Sequence, residues 1–147
     1  MIRLATANDE PNIRECAEQA YSQYVAAIGR KPAPMVADYA AQIAAGIVYV
    51  ATDEQATFQG FIVFYTEERH ILLENVAVLP SAAGRGVGKS LIGFCESTGR
   101  QSGMTAVHLY TNEMMTENLL IYPKLGYAKV AQRTEDGFNR VYFEKPL

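Results

Sequence analysis

The sequence predicts an α+β fold, in which helices cover a mixed, mostly antiparallel β-sheet. Its 147 residues, 49% of them hydrophobic, suffice for one domain over residues 1–147 with a single core. The predicted order of elements is strand, two helices, three strands, helix, strand, helix, two strands. Strands joined by short turns pair antiparallel, whereas the helix between the fourth and fifth strands is a crossover that makes this pair parallel.

The first third of the chain predicts one strand and two helices. A short strand covers residues 2–5, and residues 8–11 start a helix, because Asn or Asp can cap it and Pro suits its first turn. Apolar residues then recur at intervals of three and four up to Tyr24, as in an amphipathic helix. Glycine and two prolines interrupt this helix at residues 29–34, and a second helix follows over residues 35–45.

The middle of the chain predicts three strands. Residues 47–52 and 60–65 are rich in Val, Ile, Phe and Tyr, and the turn between them indicates an antiparallel pair. Residues 71–79 form the fourth strand, which is apolar on both faces except at Glu74 and Asn75. A carboxylate inside an otherwise apolar strand is a candidate for a chemical role.

A glycine-rich segment, residues 82–91, joins the fourth strand to a helical run over residues 90–99. A strand, a glycine-rich turn and a helix together aim several backbone N–H groups at one anion, and the helix N-terminus adds a partial positive charge. Glycines also let the backbone approach a phosphate closely. The sequence therefore predicts a phosphate-bearing ligand near residues 84–90.

The rest of the chain predicts a strand, a helix and a hairpin. The helix after the glycine-rich segment ends near Gly103, the fifth strand covers residues 105–111, and a further helix covers residues 114–125. Residues 127–134 and 138–144 form two strands joined by an Asp-Gly turn, which is the strong hairpin signal.

Composition narrows the classes of partner. A net charge of −3 argues against nucleic acid, since phosphate neutralisation needs clustered Lys and Arg. The two cysteines are isolated and lack metal-ligand spacing, so we expect no metal. No apolar stretch approaches the roughly 20 residues of a membrane span, which argues against a membrane partner. No signal peptide is visible, so the cytoplasm is the expected compartment.

The glycine-rich segment admits two nucleotide interpretations. Residues 83–90 fit a loose P-loop pattern with Ala in place of the first Gly, but the later strand at residues 106–111 ends without an Asp to help hold magnesium. The glycine spacing also differs from the Gly-x-Gly-x-x-Gly of a dinucleotide fold, and no βαβ unit with a ribose-binding acid follows. The surrounding sequence therefore disfavours both the P-loop interpretation and the dinucleotide-fold interpretation.

A third interpretation comes from a family resemblance. Residues 83–88 resemble the pyrophosphate loop of the GNAT N-acetyltransferases, Gln/Arg-x-x-Gly-x-Gly/Ala, with both glycines matched and Ala83 at the leading position. Residues 74–80 resemble that family's fourth strand, and residues 120–127 resemble its Tyr-x-x-Leu-Gly-Phe/Tyr segment. The order of elements is also similar, so the resemblance extends over nearly the whole chain.

The resemblance implies a GNAT-type fold, with helices on both faces of the sheet and a parallel pair of strands that splays apart. It implies transfer of an acetyl group from acetyl-CoA, as co-substrate, to a primary amine by direct attack. A small-molecule acceptor is favoured over a protein tail, because the acidic chain shows no peptide-groove signature. The alternative is a non-catalytic module of the same fold that binds or senses acyl-CoA. A homodimer is the first assembly to expect, because two-fold pairs are the commonest.

The resemblance also implies how coenzyme A is held. The pyrophosphate lies on backbone N–H groups of the loop, and the pantetheine arm pairs with the backbone of the fourth strand. An asparagine of the last helix contacts the cofactor. The expected cofactor-binding residues are Val76, Ala77, Val78, Arg85, Gly86, Val87, Gly88, Lys89, Ser90 and Asn118.

Two residues are candidates for chemistry. By resemblance, Tyr122 is the general acid that protonates the departing thiolate, and Phe at this position would keep the packing and lose the proton. Glu74, directly or through a water, is the candidate base that deprotonates the amine. The backbone N–H of Val78 is the expected oxyanion donor.

The acceptor pocket is expected between the first two helices and the far side of the splayed pair of strands, where tyrosines and a cation are concentrated. Arg30 is the candidate residue in this region for binding a carboxylate of the substrate. The expected substrate-binding residues are Tyr21, Tyr24, Arg30 and Met35.

Overall fold

The computed structural model describes residues 1–147. The chain forms six α-helices and seven β-strands. Their bounds are β1 Ile2–Leu4, α1 Glu10–Tyr21, α2 Val25–Ile28, α3 Ala33–Val36, α4 Tyr39–Ala44, β2 Val48–Thr52, β3 Phe58–Glu67, β4 His70–Val78, α5 Val87–Gln101, β5 Ala106–Asn112, α6 Thr116–Lys124, β6 Ala128–Glu135 and β7 Phe138–Pro146.

The seven strands form one sheet in the order β1-β2-β3-β4-β5-β7-β6. The neighbours β1–β2, β2–β3, β5–β7 and β6–β7 run antiparallel, and β4–β5 run parallel. The predicted α+β class with a mixed, mostly antiparallel sheet and one parallel pair is therefore confirmed. The insertion of β7 between β5 and β6 does not follow from the order of elements, because either hairpin strand could pair with β5.

The chain divides into two compact units. Unit 1 comprises Met1–Phe64 and Asn75–Cys95, and unit 2 comprises Tyr65–Glu74 and Glu96–Leu147. The prediction of a single domain over residues 1–147 stays a prediction. Each unit has fully buried apolar side chains: in unit 1 they include Ile13, Val48, Val50, Phe61, Ile62, Val63 and Leu91, and in unit 2 Ile71, Leu73, Val107 and Leu109.

The predicted second helix over residues 35–45 is wrong, because two short helices, α3 and α4, occupy residues 33–44. Ala37 between them is extended, and the Asp38 carboxylate accepts the N–H of Ala41 at 3.1 Å, which starts a new helix. Pro34 lies in the first turn of α3, where a missing N–H costs nothing. The sequence signal for the break was the Asp, which favours caps over helix interiors.

The C-terminal hairpin confirms the prediction made from its turn. Asp136 and Gly137 have φ angles of +52° and +79°. Two successive residues with positive φ match a type I′ turn, whose twist fits the strands on either side. The pairing of Glu135 with Phe138 closes the hairpin.

Gly60 on β3 lies so close to β4 that a side chain does not fit. A Cβ at this position would lie 2.6 Å from the carbonyl oxygen of Ala77, a backbone atom that cannot turn away. We expect Gly60→Ala to destabilise the protein by about 1–3 kcal/mol through overpacking, measured by thermal or urea unfolding.

Gly93 in the interior of α5 provides the matched control for Gly60. No atom lies within 4 Å of a Cβ placed there. Gly93→Ala should therefore stabilise the protein by roughly 0.5–1 kcal/mol, as removal of a helix-interior glycine does. Equal melting temperatures for Gly60→Ala and the parent protein would contradict the close approach of β3 and β4.

Candidate functional site

The glycine-rich segment forms a surface loop that runs into the N-terminus of α5 in unit 1. The helix begins at Val87, earlier than the predicted run from residue 90, so Lys89 lies in its first turn. Gly84 and Gly86 both have a φ of +78°, in the left-handed region that favours glycine. This backbone explains why glycines are needed at these two positions.

The amides of the loop are the candidate donors for an anion. Gly86 and Lys89 are exposed, and the positive end of the helix dipole lies at the same place. The N–H of Ser90 donates to the Gly86 carbonyl at 2.9 Å and is therefore already used. The donor set thus reduces to the amides of residues 85–89, and Ser90 can add only its hydroxyl.

The pairing of β4 with β5 covers only the first part of β4. The registered pairs run from His70↔Ala106 to Leu73↔Leu109, whereas β4 continues to Val78. Along residues 76–78, Ala77 is buried and its two neighbours are half-buried. The backbone of this part of β4 is where the pantetheine arm was predicted.

A chain of hydrogen bonds in unit 1 ties β4 to two helices. The Tyr21 hydroxyl donates to Asn75 Oδ1 at 2.6 Å and also lies 3.0 Å from the Val76 carbonyl oxygen. Asn75 Nδ2 donates to the Tyr39 hydroxyl at 2.8 Å, which in turn donates to the carbonyl of Pro34. Tyr21, a predicted substrate-binding residue, is 8% exposed, and its hydroxyl serves this buried network.

The other predicted acceptor residues also lie in unit 1. Tyr24 is half-buried in a 3₁₀ turn between α1 and α2, and Met35 is half-buried in α3. Arg30 is exposed and follows Gly29, which ends α2 with a φ of +88°. Their substrate-binding role stays a prediction.

Tyr122 lies on α6 in unit 2 and is 7% exposed. Its ring packs at 5.9 Å from the Tyr127 ring and 5.8 Å from the Phe143 ring, centroid to centroid. Burial raises the pKa of the Tyr122 hydroxyl to about 12. The phenol therefore stays protonated at neutral pH, and its pKa lies further above the ~8.5 of a free thiol than that of an ordinary tyrosine.

The turn after α6 is held by a buried charged network. The N–H of Tyr127 donates to the Tyr122 carbonyl at 3.1 Å, and the Tyr127 hydroxyl donates to Glu96 Oε2 at 2.8 Å. Lys145 Nζ on β7 donates to both Glu96 oxygens at 3.1 Å. Through Tyr127, α5 and β7 fix the backbone that carries Tyr122.

Glu74 lies half-buried on β4 in unit 2, where burial raises the pKa of its carboxyl. The Glu74 charge contributes to raised pKa values of Tyr65 and Tyr110, although burial is the larger cause for both. Neither tyrosine was predicted as a site residue from the sequence. For Tyr110 the available signal was the alternation of β5, which places it on the same face as His108.

Asn118 lies on α6, one turn before Tyr122. Its Nδ2 donates to Thr111 Oγ1 at 3.2 Å and lies 3.7 Å from Met115 Sδ. The amide group therefore fixes the start of α6 against the end of β5. Its contact with a cofactor stays a prediction.

No group of three or more His, Cys, Asp and Glu side chains is placed to hold a metal ion. No helix has both the length and the apolar character needed to cross a membrane.

Several solved acetyltransferases have a similar fold. PaiA N-acetyltransferase from Thermoplasma acidophilum, solved in complex with coenzyme A, is 18% identical, with 100% of this chain and 98% of that chain covered and a TM-score of 0.82. The ribosomal-protein-S18-alanine N-acetyltransferase from Escherichia coli is 17% identical, with 99% and 92% covered and a TM-score of 0.77. Identities this low show the fold alone.

Nourseothricin acetyltransferase gives a partial match. It is 24% identical, with 67% of this chain covered and a TM-score of 0.61, and the chain spans 64% of its length. A comparison with curated proteins finds no match.

The sequence itself matches a family profile. The profile of the acetyltransferase (GNAT) domain matches residues 44–129, a segment that includes the loop, Glu74 and Tyr122. Since this segment is more than half of the chain, the protein belongs to the GNAT acetyltransferase family.

Proposed function

We propose that this protein transfers an acetyl group from acetyl-CoA to a primary amine of a small-molecule acceptor by direct attack. The observation that carries the proposal is the loop at the start of α5, where Gly84 and Gly86 have positive φ and the chain enters the helix at Val87, so that the amides of residues 85–89 are candidate donors. A pyrophosphate suits such a donor set at a helix N-terminus. The family membership makes the pyrophosphate of coenzyme A the preferred occupant.

The cofactor is held mainly by backbone groups in this proposal. The amides of Arg85, Gly86, Val87, Gly88 and Lys89 bind the pyrophosphate, and the Arg85 and Lys89 side chains add charge. Backbone groups of residues 76–78 pair with the amides of pantetheine. Ser90 and Asn118 add side-chain contacts.

The chemistry then needs one proton removed and one supplied. Glu74, directly or through a water, takes the proton of the amine, whose nitrogen attacks the thioester carbonyl carbon. The C–N bond forms, the C–S bond breaks, and the departing sulfur accepts a proton from Tyr122. The Val78 N–H donates to the oxyanion of the tetrahedral intermediate. Tyr24, Arg30 and Met35 are the proposed acceptor contacts of unit 1.

Thermal unfolding with two ligands tests the cofactor assignment. Acetyl-CoA at ~100 times its Kd should stabilise the protein by roughly 2.7 kcal/mol, a rise in Tm of several degrees. ATP with magnesium, which a P-loop would bind, should give no comparable rise. Stabilisation by ATP–magnesium alone would refute the proposal, whereas acetyl-CoA binding without thiol release from any amine would favour the sensing module.

The raised pKa of Glu74 predicts a pH dependence. A base works only when deprotonated, so kcat/KM should fall as the pH drops through the Glu74 pKa, above the range of an ordinary glutamate. Glu74→Gln should lower kcat/KM by about 10²-fold or more and remove this acidic limb. The readout is thiol release across pH, with the exposed Glu54→Gln as control. An unchanged acidic limb in Glu74→Gln would assign the base role to water.

A further inference from the structure

Arg140 on β7 is a largely covered cation with unused hydrogen-bond donors. Its side chain is 14% exposed, and the guanidinium carbon lies 4.4 Å above the centroid of the Tyr110 ring and 5.6 Å from that of Phe138. The nearest carboxylate, Glu135, is 3.8 Å away, beyond hydrogen-bond distance. The guanidinium therefore makes no hydrogen bond within the protein.

The unused donors remain open to a ligand. A guanidinium carries five N–H donors in a planar fork. No nitrogen of Arg140 is both sealed from solvent and without a hydrogen-bond partner. Glu135 forms an ion pair with Arg140 but does not fill the fork, because its oxygen lies 3.8 Å from the guanidinium nitrogen; the same carboxylate accepts the Tyr142 hydroxyl. Two rings thus hold a cation in place while its edge stays available, and such preorganisation favours binding of a planar anion.

Arg140 lies on the face of the sheet that carries Glu74. Leu72 pairs with His108 in the β4–β5 register, so Glu74 and Tyr110, each two residues further along, continue that face. Tyr142 is directly opposite Tyr110, and its ring packs 5.4 Å away. Tyr110 is on β5, whose neighbours in the sheet are β4, which carries Glu74, and β7, which carries Arg140. The Tyr110 side chain interacts electrostatically with both charges.

We propose that the amine acceptor carries a carboxylate, which the Arg140 guanidinium binds in a bidentate manner while the amine lies toward Glu74. This inference rests on the proposed function, which supplies the role of Glu74. It names the acceptors as amino-acid-like compounds rather than simple amines or polyamines. It also assigns recognition of the carboxylate to Arg140 in unit 2 instead of Arg30 in unit 1.

Binding of product analogues tests the inference without catalysis. N-acetylated amino acids of several side-chain classes, each paired with its C-terminal amide, are titrated by calorimetry into the protein saturated with coenzyme A. Loss of a charge-assisted contact should weaken binding by about 10-fold or more, so the acid should bind at least that much tighter than its amide. Equal binding of acid and amide, or no binding of any acid, overturns the inference.

Four variants assign the effect to one residue. Arg140→Gln should reduce the acid-to-amide ratio to about 1, and Arg140→Lys should restore it only in part, because lysine lacks the fork. The exposed Arg100→Gln is the control and should keep the parental ratio. Arg30→Gln tests the rival assignment of the carboxylate to Arg30. Retained stabilisation by coenzyme A shows that each variant is folded. Loss of the ratio in Arg30→Gln, with Arg140→Gln unaffected, overturns the assignment.

Thiol release separates failure of this inference from failure of the proposed function. Turnover of amino acids and of their amides with equal kcat/KM overturns the inference and leaves the transferase function intact. Absence of thiol release with every amine refutes the transferase, and the calorimetric ratio then still decides whether Arg140 binds a carboxylate.

Discussion

Tyr122→Phe is expected to bind acetyl-CoA like the parent protein and to release thiol at least about 100-fold more slowly, because it removes the proton donor and keeps the ring. The ring packs against Tyr127 and Phe143, so these contacts survive the substitution. Steady-state kcat from thiol release and the Kd of acetyl-CoA from calorimetry measure the two quantities separately.

Tyr49→Phe is the matched control for this loss. Tyr49 lies in unit 1, where its ring stacks on Phe64 and tilts against Phe94, and its hydroxyl makes no hydrogen bond within the protein. The same loss of one oxygen there should leave kcat unchanged. A Tyr122→Phe variant with parental kcat would remove Tyr122 from the chemistry.

The raised pKa of Tyr122 adds a pH prediction. With a pKa of about 12 the phenol stays protonated across the physiological range. Loss of activity at alkaline pH below about 11 should therefore not come from ionisation of Tyr122, whereas an ordinary tyrosine would ionise near pH 10. An alkaline limb near pH 10 that disappears in Tyr122→Phe would show that burial does not act as described.

Lys145→Met is expected to cause the largest loss of stability. Glu96 is 7% exposed and is held by Lys145 and by the Tyr127 hydroxyl. Removal of the lysine leaves a buried carboxylate without its countercharge, which should lower the free energy of unfolding by about 3 kcal/mol. This value is at the lower end of the range for buried ion pairs, because Lys145 retains some exposure. Urea unfolding at neutral pH measures this difference.

A double variant tests the cause of that loss. Combining Lys145→Met with Glu96→Gln removes both charges, so it should recover most of the stability lost by Lys145→Met alone. Lys31→Met, at an exposed position in unit 1, is the control and should change stability by less than about 0.5 kcal/mol. A Lys145→Met protein as stable as the parent would contradict a structural role for the pair.

Signals that act over a few residues were sufficient for most elements. The Asp-Gly pair predicted the turn between β6 and β7, the runs of apolar and β-branched residues predicted β2 to β4, and the glycines of the loop predicted a turn into α5. The same local reasoning failed at residues 35–45. There the Asp38 carboxylate competes for a backbone N–H and divides the helix, a contact that composition alone underestimates.

Contacts between residues far apart in sequence were not predictable in this way. The hydroxyl network of Tyr21, Asn75 and Tyr39, the two tyrosines beside Glu74 and the covered guanidinium of Arg140 all depend on which strands pair and in which register. The insertion of β7 beside β5 brings Tyr142 opposite Tyr110. Nothing in the sequence around Tyr110 or Tyr142 indicates that these two residues pair.

The amino-acid order therefore specified the class of fold, the glycine-rich loop and the candidate base Glu74, because periodicity, turn residues and residue chemistry are local properties. The candidate acid Tyr122 came from the family resemblance. Tertiary packing, in contrast, decided the surroundings of the site residues, and these surroundings set pKa values and leave hydrogen-bond donors unused. Burial of Tyr122 raises its pKa, and the aromatic rings around Arg140 leave its donors unused, since both effects arise from neighbours that only strand register and helix packing bring near.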